Sequence, residues 1–362
     1  MKVCVYAICK NEEKFVNRWV SSMKEADEIY VLDTGSTDKT VELLKMNNVN
    51  VTVKEIKPWR FDNARNESMK LLPKDTDICV CTDLDEILEE GWRKKLEELW
   101  KKGINRLAYN YNWSFDKYGN PSVNFYTEKI HSYKEWTWTH PVHEILTYIG
   151  KEKEKKYYTD DITLNHYPDN NKSRGSYLKL LELSVKEDPN DDRNLHYLGR
   201  EYMYYKKWNK SIDTLIKHLN NKNAVWKEER CASMRFISRC YIALNRFDEA
   251  KMWLLKAIKE CPYIREGYAE LGMLYYSLND YKNSKKYFFK ALNQKENSKT
   301  YINEPFCYDG TLYDYLSVCL YNLGKYQRSI YYINKALKFD KDSDRLKKNK
   351  EIIKDEINRI RS

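Results

Sequence analysis

The sequence predicts an α/β domain with a mixed, mostly parallel sheet over residues 1–170, and an all-α array of paired helices over 192–362, joined by a linker helix at 171–191. Two observations predict this. Up to about residue 115, short β-rich runs alternate with amphipathic stretches, which is the rhythm of an α/β sheet. Beyond Asp191, small and aromatic residues recur at fixed offsets, the mark of a helical repeat.

Taken in order, the runs VCVYAI, EIYVLD, VNVTVKEI and DICVCTD each precede a helical or turn-like segment. After Ile104 the pattern changes to long aromatic alternations, LAYNYNWSFD, SVNFYTEKIHSY and Trp136 to Ile149. These read as further strands of the mixed sheet, with a turn at Tyr118-Gly119-Asn120-Pro121. Helix is expected to resume near Arg174. In the second half, Gly199, Ser238, Gly272 and Ser317 can each be set as the eighth position of a unit. An aromatic then falls nine residues later (Trp208, Phe247, Tyr281, Tyr326) and a small residue three further on (Ser211, Ala250, Ser284, Ser329). The next small slot holds Ala257, Ala291 and Ala336, with His218 the exception. Small residues let paired helices approach while the aromatic fills the space beside the turn. This resembles the tetratricopeptide pattern, including Pro262 closing the second unit. The uneven spacing of 39, 34 and 45 residues points to insertions such as Glu296 to Asp309.

Composition narrows the function classes. No apolar run approaches the ~18 residues of a membrane span, and the start MKVCVYAICKNEE turns polar too early for a signal peptide, so a cytoplasmic protein is expected. The nine cysteines show no paired metal-ligand spacing and are read as reduced core residues; Cys79-Val80-Cys81 is a near miss. Residues 1–170 carry 26 basic against 29 acidic side chains and residues 171–362 carry 38 against 25, within a net charge of +10. A basic half of this kind can attract acidic peptides, membranes or nucleic acid. In a Lys- and Asn-rich composition it reads as solvated helix faces, and no nucleic-acid partner is expected. Gly is scarce and neither GxGxxG nor GxxxxGK[ST] occurs, which excludes Rossmann dehydrogenases and P-loop enzymes.

What occurs instead is Asp83-Leu84-Asp85-Glu86 where the apolar run DICVCT ends. Carboxylates at i and i+2 there can share a divalent ion and a diphosphate, because the cation offsets their repulsion. Asp33-Thr34-Gly35-Ser36-Thr37-Asp38 follows EIYVL, where Ser36 or Thr37 can cap the next helix and Asp33 can hydrogen-bond a nucleobase. The segment Trp59 to Glu67 supplies Asp62 and Arg65 as donor-binding candidates, Arg65 through its planar fork on a diphosphate. His140-Pro141-Val142-His143-Glu144 lacks the order of a zinc protease. On a regular strand His140 and Glu144 would share one face and His143 the other.

Lys10-Asn11-Glu12, D-T-G-S-T-D, F-x-x-A-R-N, D-x-D-E and V-H-E stand in this order across nearly the whole first domain. In this, residues 1–170 resemble family 2 glycosyltransferases. With the repeats, the chain is similar to the peptide S-glycosyltransferases of glycosylated bacteriocins, and it shares V-H-E with lipopolysaccharide-type glucosyltransferases. The resemblance implies a GT-A fold and inverting sugar transfer from a UDP-sugar or related donor, with Mn²⁺ or Mg²⁺. It implies that Asp33 contacts the base, Asp83 the ribose or metal and Asp85 the metal and diphosphate, with Arg65 near the nucleotide. Glu144 is then the favoured catalytic base and His143 the runner-up, and His166 completes the metal site. The acceptor would be a peptide Cys or Ser or a saccharide, and the repeat helices can bind it or build a homodimer. The competing readings are a repeat adaptor with a relic first domain, and a nucleotidyltransferase, which would usually open on a Gly- and Arg-rich loop.

Overall fold

The structure is a computed structural model that describes residues 1–169, 175–294 and 299–361. The expected domain boundary at 170, the return of helix near Arg174 and the start of the expected insertion at Glu296 lie outside the described residues. The chain divides into two compact units, Met1–Ser184 with Lys299–Tyr301, and Val185–Ser298 with Ile302–Ser362.

The first unit holds strands β1 (Val3–Cys9), β2 (Glu28–Asp33), β3 (Asn50–Val53), β4 (Ile78–Cys81), β5 (Glu86–Leu88), β6 (Arg106–Phe115), β7 (Pro121–Ser132), β8 (Trp136–Thr139), β9 (Ile145–Tyr148) and β10 (Lys156–His166). Its helices are α1 (Glu13–Met23), α2 (Thr40–Met46), α3 (Phe61–Met69), α4 (Trp92–Trp100) and the start of α5 (Tyr177–Glu187). Eight strands form one sheet in the order β3-β2-β1-β4-β7-β6-β10-β5. Neighbours are parallel from β3 to β4 and between β6 and β10, and antiparallel at β4/β7, β7/β6 and β10/β5. This is the mixed, mostly parallel sheet expected.

β1 and β4 are apolar and buried along their whole length, because helices cover a parallel sheet and leave neither face to water. Trp19 of α1 and Trp92 of α4 are among the largest fully buried side chains on this sheet. The Trp19 indole also donates to Thr82 Oγ1 at 3.0 Å, so α1 holds the chain just where β4 ends. β8 and β9 depart from the expectation: they pair only with each other, as a separate two-stranded sheet. Trp136, Trp138 and Leu146 are buried there beside Tyr6 and Cys79, so aromatic alternation marked strands correctly but not their sheet.

The second unit continues through α6 (Asp192–Tyr204), α7 (Trp208–Asn220), α8 (Lys227–Ala243), α9 (Phe247–Glu260), α10 (Glu266–Ser277), α11 (Tyr281–Asn293), α12 (Thr311–Asn322), α13 (Tyr326–Phe339) and α14 (Asp344–Arg361). Each aromatic of the repeat pattern is the first residue of the second helix of a pair. Two residues before it stands a left-handed residue, Lys206, Asn245, Asn279 or Gly324, which turns the chain between the helices. The small positions are then tied across the pair. Ser211 Oγ donates to the Gly199 carbonyl, Ser238 Oγ to Ala250, Ser284 Oγ to Gly272, and Ser317 and Ser329 to each other's carbonyls, all within 2.7–3.1 Å. The approach is close in the first pair, where a Cβ on Gly199 would sit 2.5 Å from Leu215. All nine cysteines are buried and free, as read from their apolar settings. Among the described residues no helix is long and apolar enough to cross a membrane.

Candidate active site

The site begins at the carboxyl end of β4, where Thr82 to Asp85 bridge into β5. Asp83 Oδ1 accepts from Arg65 at 2.6 Å and Oδ2 from Lys129 Nζ at 3.2 Å, while the Asp83 N–H donates to Glu86 Oε2 at 2.8 Å. Lys129 Nζ also meets Glu86 Oε1 at 2.9 Å, and that oxygen accepts from the Tyr111 hydroxyl at 2.6 Å. Arg65 reaches the other way, its Nε donating to Glu144 Oε1 at 2.9 Å. Two cations thus thread three carboxylates. Burial alone would raise the Asp83 pKa, but the charges of Arg65 and Lys129 outweigh it and hold this carboxyl well below the usual range. Burial opposes the charge on Lys129 as well, and Asp83 and Glu86 overcome it.

Asp85 turns elsewhere. Its Oδ2 lies 3.4 Å from His166 Nε2, and the other ring nitrogen, Nδ1, meets the Trp113 carbonyl at 3.0 Å with the ring stacked on Trp113. Burial would depress the His166 pKa, but the Asp85 carboxylate and the Trp113 carbonyl raise it above 6.5. β10 delivers His166 through a bulge. Thr159 pairs with Tyr109 and Thr163 with Asn110, so three residues loop out before His166 pairs with Glu86. The donor set, one carboxylate and one imidazole fixed by a carbonyl behind it, suits a divalent ion that takes its remaining ligands from phosphate and water.

The sequence motifs explain one another in this geometry. Asn11 of K-N-E has φ 54° and its side-chain oxygen accepts from the Thr37 N–H at 2.7 Å, while its own N–H donates to Ser36 Oγ at 2.8 Å. Asp33 is fully buried, its Oδ1 taking the N–H groups of Gly35 and Ser36 and its Oδ2 the Cys9 thiol and the Ser36 hydroxyl. Gly35 sits at φ 106°, which a side chain would strain. Neither Ser36 nor Thr37 caps α2. The cap position falls on Lys39, whose side chain makes no capping bond, and Asp38 just before it accepts from Thr40 N at 3.0 Å, while Ser36 and Thr37 are engaged with Asp33 and Asn11.

In F-x-x-A-R-N, Ala64 is buried, Arg65 joins the site and Asn66 brackets the Trp138 backbone, its amide donating to the carbonyl and its oxygen accepting the N–H. Arg65 is 3% exposed, so it is no surface charge. Asp62 forms a two-pronged pair with Arg60 and accepts the Asn63 N–H, which places it at the start of α3.

Residues 140–144 are not a strand. They connect β8 to β9, with His140 at φ 77° and His143 at φ 53°, so the alternation argument for their faces fails. A reversal between paired strands needs left-handed residues, and Pro141 has no N–H for a ladder. The result separates the two base candidates: Glu144 meets Arg65, while the His143 ring packs against Tyr177. Sequence reasoning missed Lys129, Tyr111 and the use of Glu86. The signal available was a Lys flanked by Ile130 in a run with buried neighbours, and the third acid of D-L-D-E.

Residues 4–149 match the family described as glycosyl transferase family 2, and residues 236–263 and 266–298 match the tetratricopeptide repeat. The chain therefore carries a family 2 glycosyltransferase domain followed by tetratricopeptide repeats. Among individual proteins it is similar to the SPbeta prophage-derived glycosyltransferase SunS of Bacillus subtilis (strain 168), 24% identical over 276 residues, covering 71% of this chain. The glycosyltransferase SunS of Bacillus phage SPbeta matches with the same figures. In both, the match spans 62% of the relative's length. Among solved structures, a thermophilic tetratricopeptide protein of Thermus thermophilus covers 49% of this chain and 89% of its own at 16% identity and TM-score 0.37. A MamA structure covers 48% and 96% at 18% identity and TM-score 0.38.

Proposed function

We propose that this chain transfers a hexose from a nucleoside diphosphate sugar, a UDP-sugar foremost, to a peptide side chain with inversion at the anomeric carbon. The observation that carries the reading is the pairing of Asp85 with His166 beside the Arg65–Asp83–Lys129 cluster at the end of β4. Asp85 and His166 would hold Mn²⁺ or Mg²⁺, which supplies Lewis-acid stabilisation of the departing diphosphate. Asp83, already matched by two cations, is better suited to the donor's ribose than to a metal. Arg65 and Lys129 present positive charge to the diphosphate as its negative charge grows. Asp33 acts on the base through the 33–38 turn that it holds, and Asp62 fixes the start of α3 beneath the donor.

The acceptor's oxygen or sulfur attacks the anomeric carbon as the bond to the diphosphate breaks, and its proton passes to Glu144. Arg65 occupies Oε1 of that carboxylate, which orients Oε2 as the base. A cysteine thiolate needs less help from a base than a serine hydroxyl. Glu144→Gln should therefore slow a Ser acceptor peptide more than its Cys counterpart, and equal losses would remove Glu144 from this role. The reading as a whole is tested by Mn²⁺-dependent hydrolysis of UDP-glucose. The wild-type chain should show it and Asp85→Asn should not; activity indifferent to both metal and Asp85 would refute the assignment. The repeat helices are the proposed surface for the peptide or for a second copy of the chain.

A further inference from the structure

The first repeat departs from the others where a small residue is due. His218, in the last turn of α7, occupies the slot that Ala257, Ala291 and Ala336 fill elsewhere, and it is fully buried. It does not stand alone. His196 of α6 and Glu229 in the first turn of α8 are buried beside it, and each of the three offers a ligand atom within 4.8 Å of those of the other two.

Ser233, one turn along α8 from Glu229, meets His196 Nδ1 at 2.8 Å and His218 Nδ1 at 2.9 Å. Both Nε2 atoms are buried and make no hydrogen bond among the described residues; that of His218 lies 3.4 Å from Glu229 Oε1. A hydroxyl oxygen has two lone pairs, so Ser233 can accept from both Nδ1–H groups at once and leave both Nε2 nitrogens as unprotonated acceptors. A bound cation would take those two lone pairs, and Ser233 would then be the outer partner that fixes the second nitrogen of each metal-bound imidazole.

We propose that His196, His218 and Glu229 form a zinc site between the first repeat and the first helix of the second, with Ser233 as the residue that positions both rings. Zinc fits better than calcium or magnesium because two of three ligands are imidazoles. The carboxylate is single, and Arg193 and Arg200 act on His196 as positive charges, so charge attraction alone would not retain a hard cation. Three protein ligands from three helices would pin the first repeat to the start of the second.

The test uses the full chain carrying Asp85→Asn, which removes the other candidate metal site, stripped with chelator and dialysed against Zn²⁺. One zinc per chain and a raised melting temperature on zinc addition are expected. Adding His218→Gln should abolish that binding, and adding Ser233→Ala should weaken it by about 10- to 100-fold. Co²⁺ in place of zinc should give visible bands without thiolate charge transfer. Failure of the Asp85→Asn chain to bind zinc overturns the proposal whatever the variants do. So does zinc retained after His218→Gln, or a thiolate band that places the metal on a cysteine.

Discussion

Each compact unit contains a buried cluster of arginine and carboxylate, and the two differ in how they are closed. In the second unit, Arg235 and Arg239 each bridge Glu270 and Glu304, so two guanidinium groups and two carboxylates close a ring. The Ile302 carbonyl also binds Arg235, and Glu266 is taken up by the Glu304 N–H and the Tyr308 hydroxyl. In the first unit, Arg65 and Lys129 face Asp83, Glu86 and Glu144, and the Asp83 side chain remains 34% exposed. Both clusters set two cations against three carboxylates, but the ring is closed on itself around the buried Arg235 and Glu270, whereas the first cluster is open to water at Asp83 and stands beside Asp85, which is why the first is read as a candidate site and the second as a brace.

Breaking the ring should have the largest effect on stability. Arg235→Met removes a guanidinium that is 1% exposed and strands Glu270, which burial alone would push toward protonation and which Arg239 and Arg235 keep ionised. A loss of ~3–5 kcal/mol is expected in urea unfolding, with UDP-glucose binding retained at low denaturant. Asp85→Asn should do the reverse, lowering Mn²⁺-dependent hydrolysis at least ~100-fold while the melting temperature holds. Lys129→Met lies between them, because the lysine ties Asp83 to Glu86 and, on the proposed reading, faces the donor's diphosphate. A rise in the donor Kd equivalent to ~1.5–3 kcal/mol is expected, read by calorimetry with UDP. Ser284→Ala should cost ~1 kcal/mol through the lost tie to Gly272, with no change at the active site.

The smallest effect is a pH dependence. The His166 pKa is raised in the folded chain, so its pairing with Asp85 stabilises fully below the unfolded value near 6.5 and is lost as pH rises through the folded value. On the proposed reading manganese would compete with that proton. Its affinity, followed by calorimetry, should therefore rise across the same window and become flat in His166→Gln.

The two regions also differ in how much the sequence disclosed. The repeats were readable because their contacts are local: offsets of 9 and 12 residues place an aromatic at a helix start and a serine opposite a glycine. The end of β4 was readable because an apolar run stops at an acid pair. Lys129 was not, since it reaches Asp83 across 46 residues of chain and reads in β7 as one more outward charge. The 140–144 turn was not, since left-handed residues are imposed by the pairing of β8 with β9 and leave no period of their own. His218 was visible as an irregularity, but His196 and Glu229 become its neighbours only once three helices pack.

The excursion at Asp160, Asp161 and Ile162 carries a consequence for how this domain tolerates change. Strand side chains alternate from face to face, so a deletion there that slips β10 by one residue against β6 would turn the imidazole of His166 away from Asp85. Length there behaves like a combination lock. Insertions that leave a working enzyme belong in the Asp116 to Asn120 turn, and directed libraries that vary loop length should find the 160–162 segment closed to them.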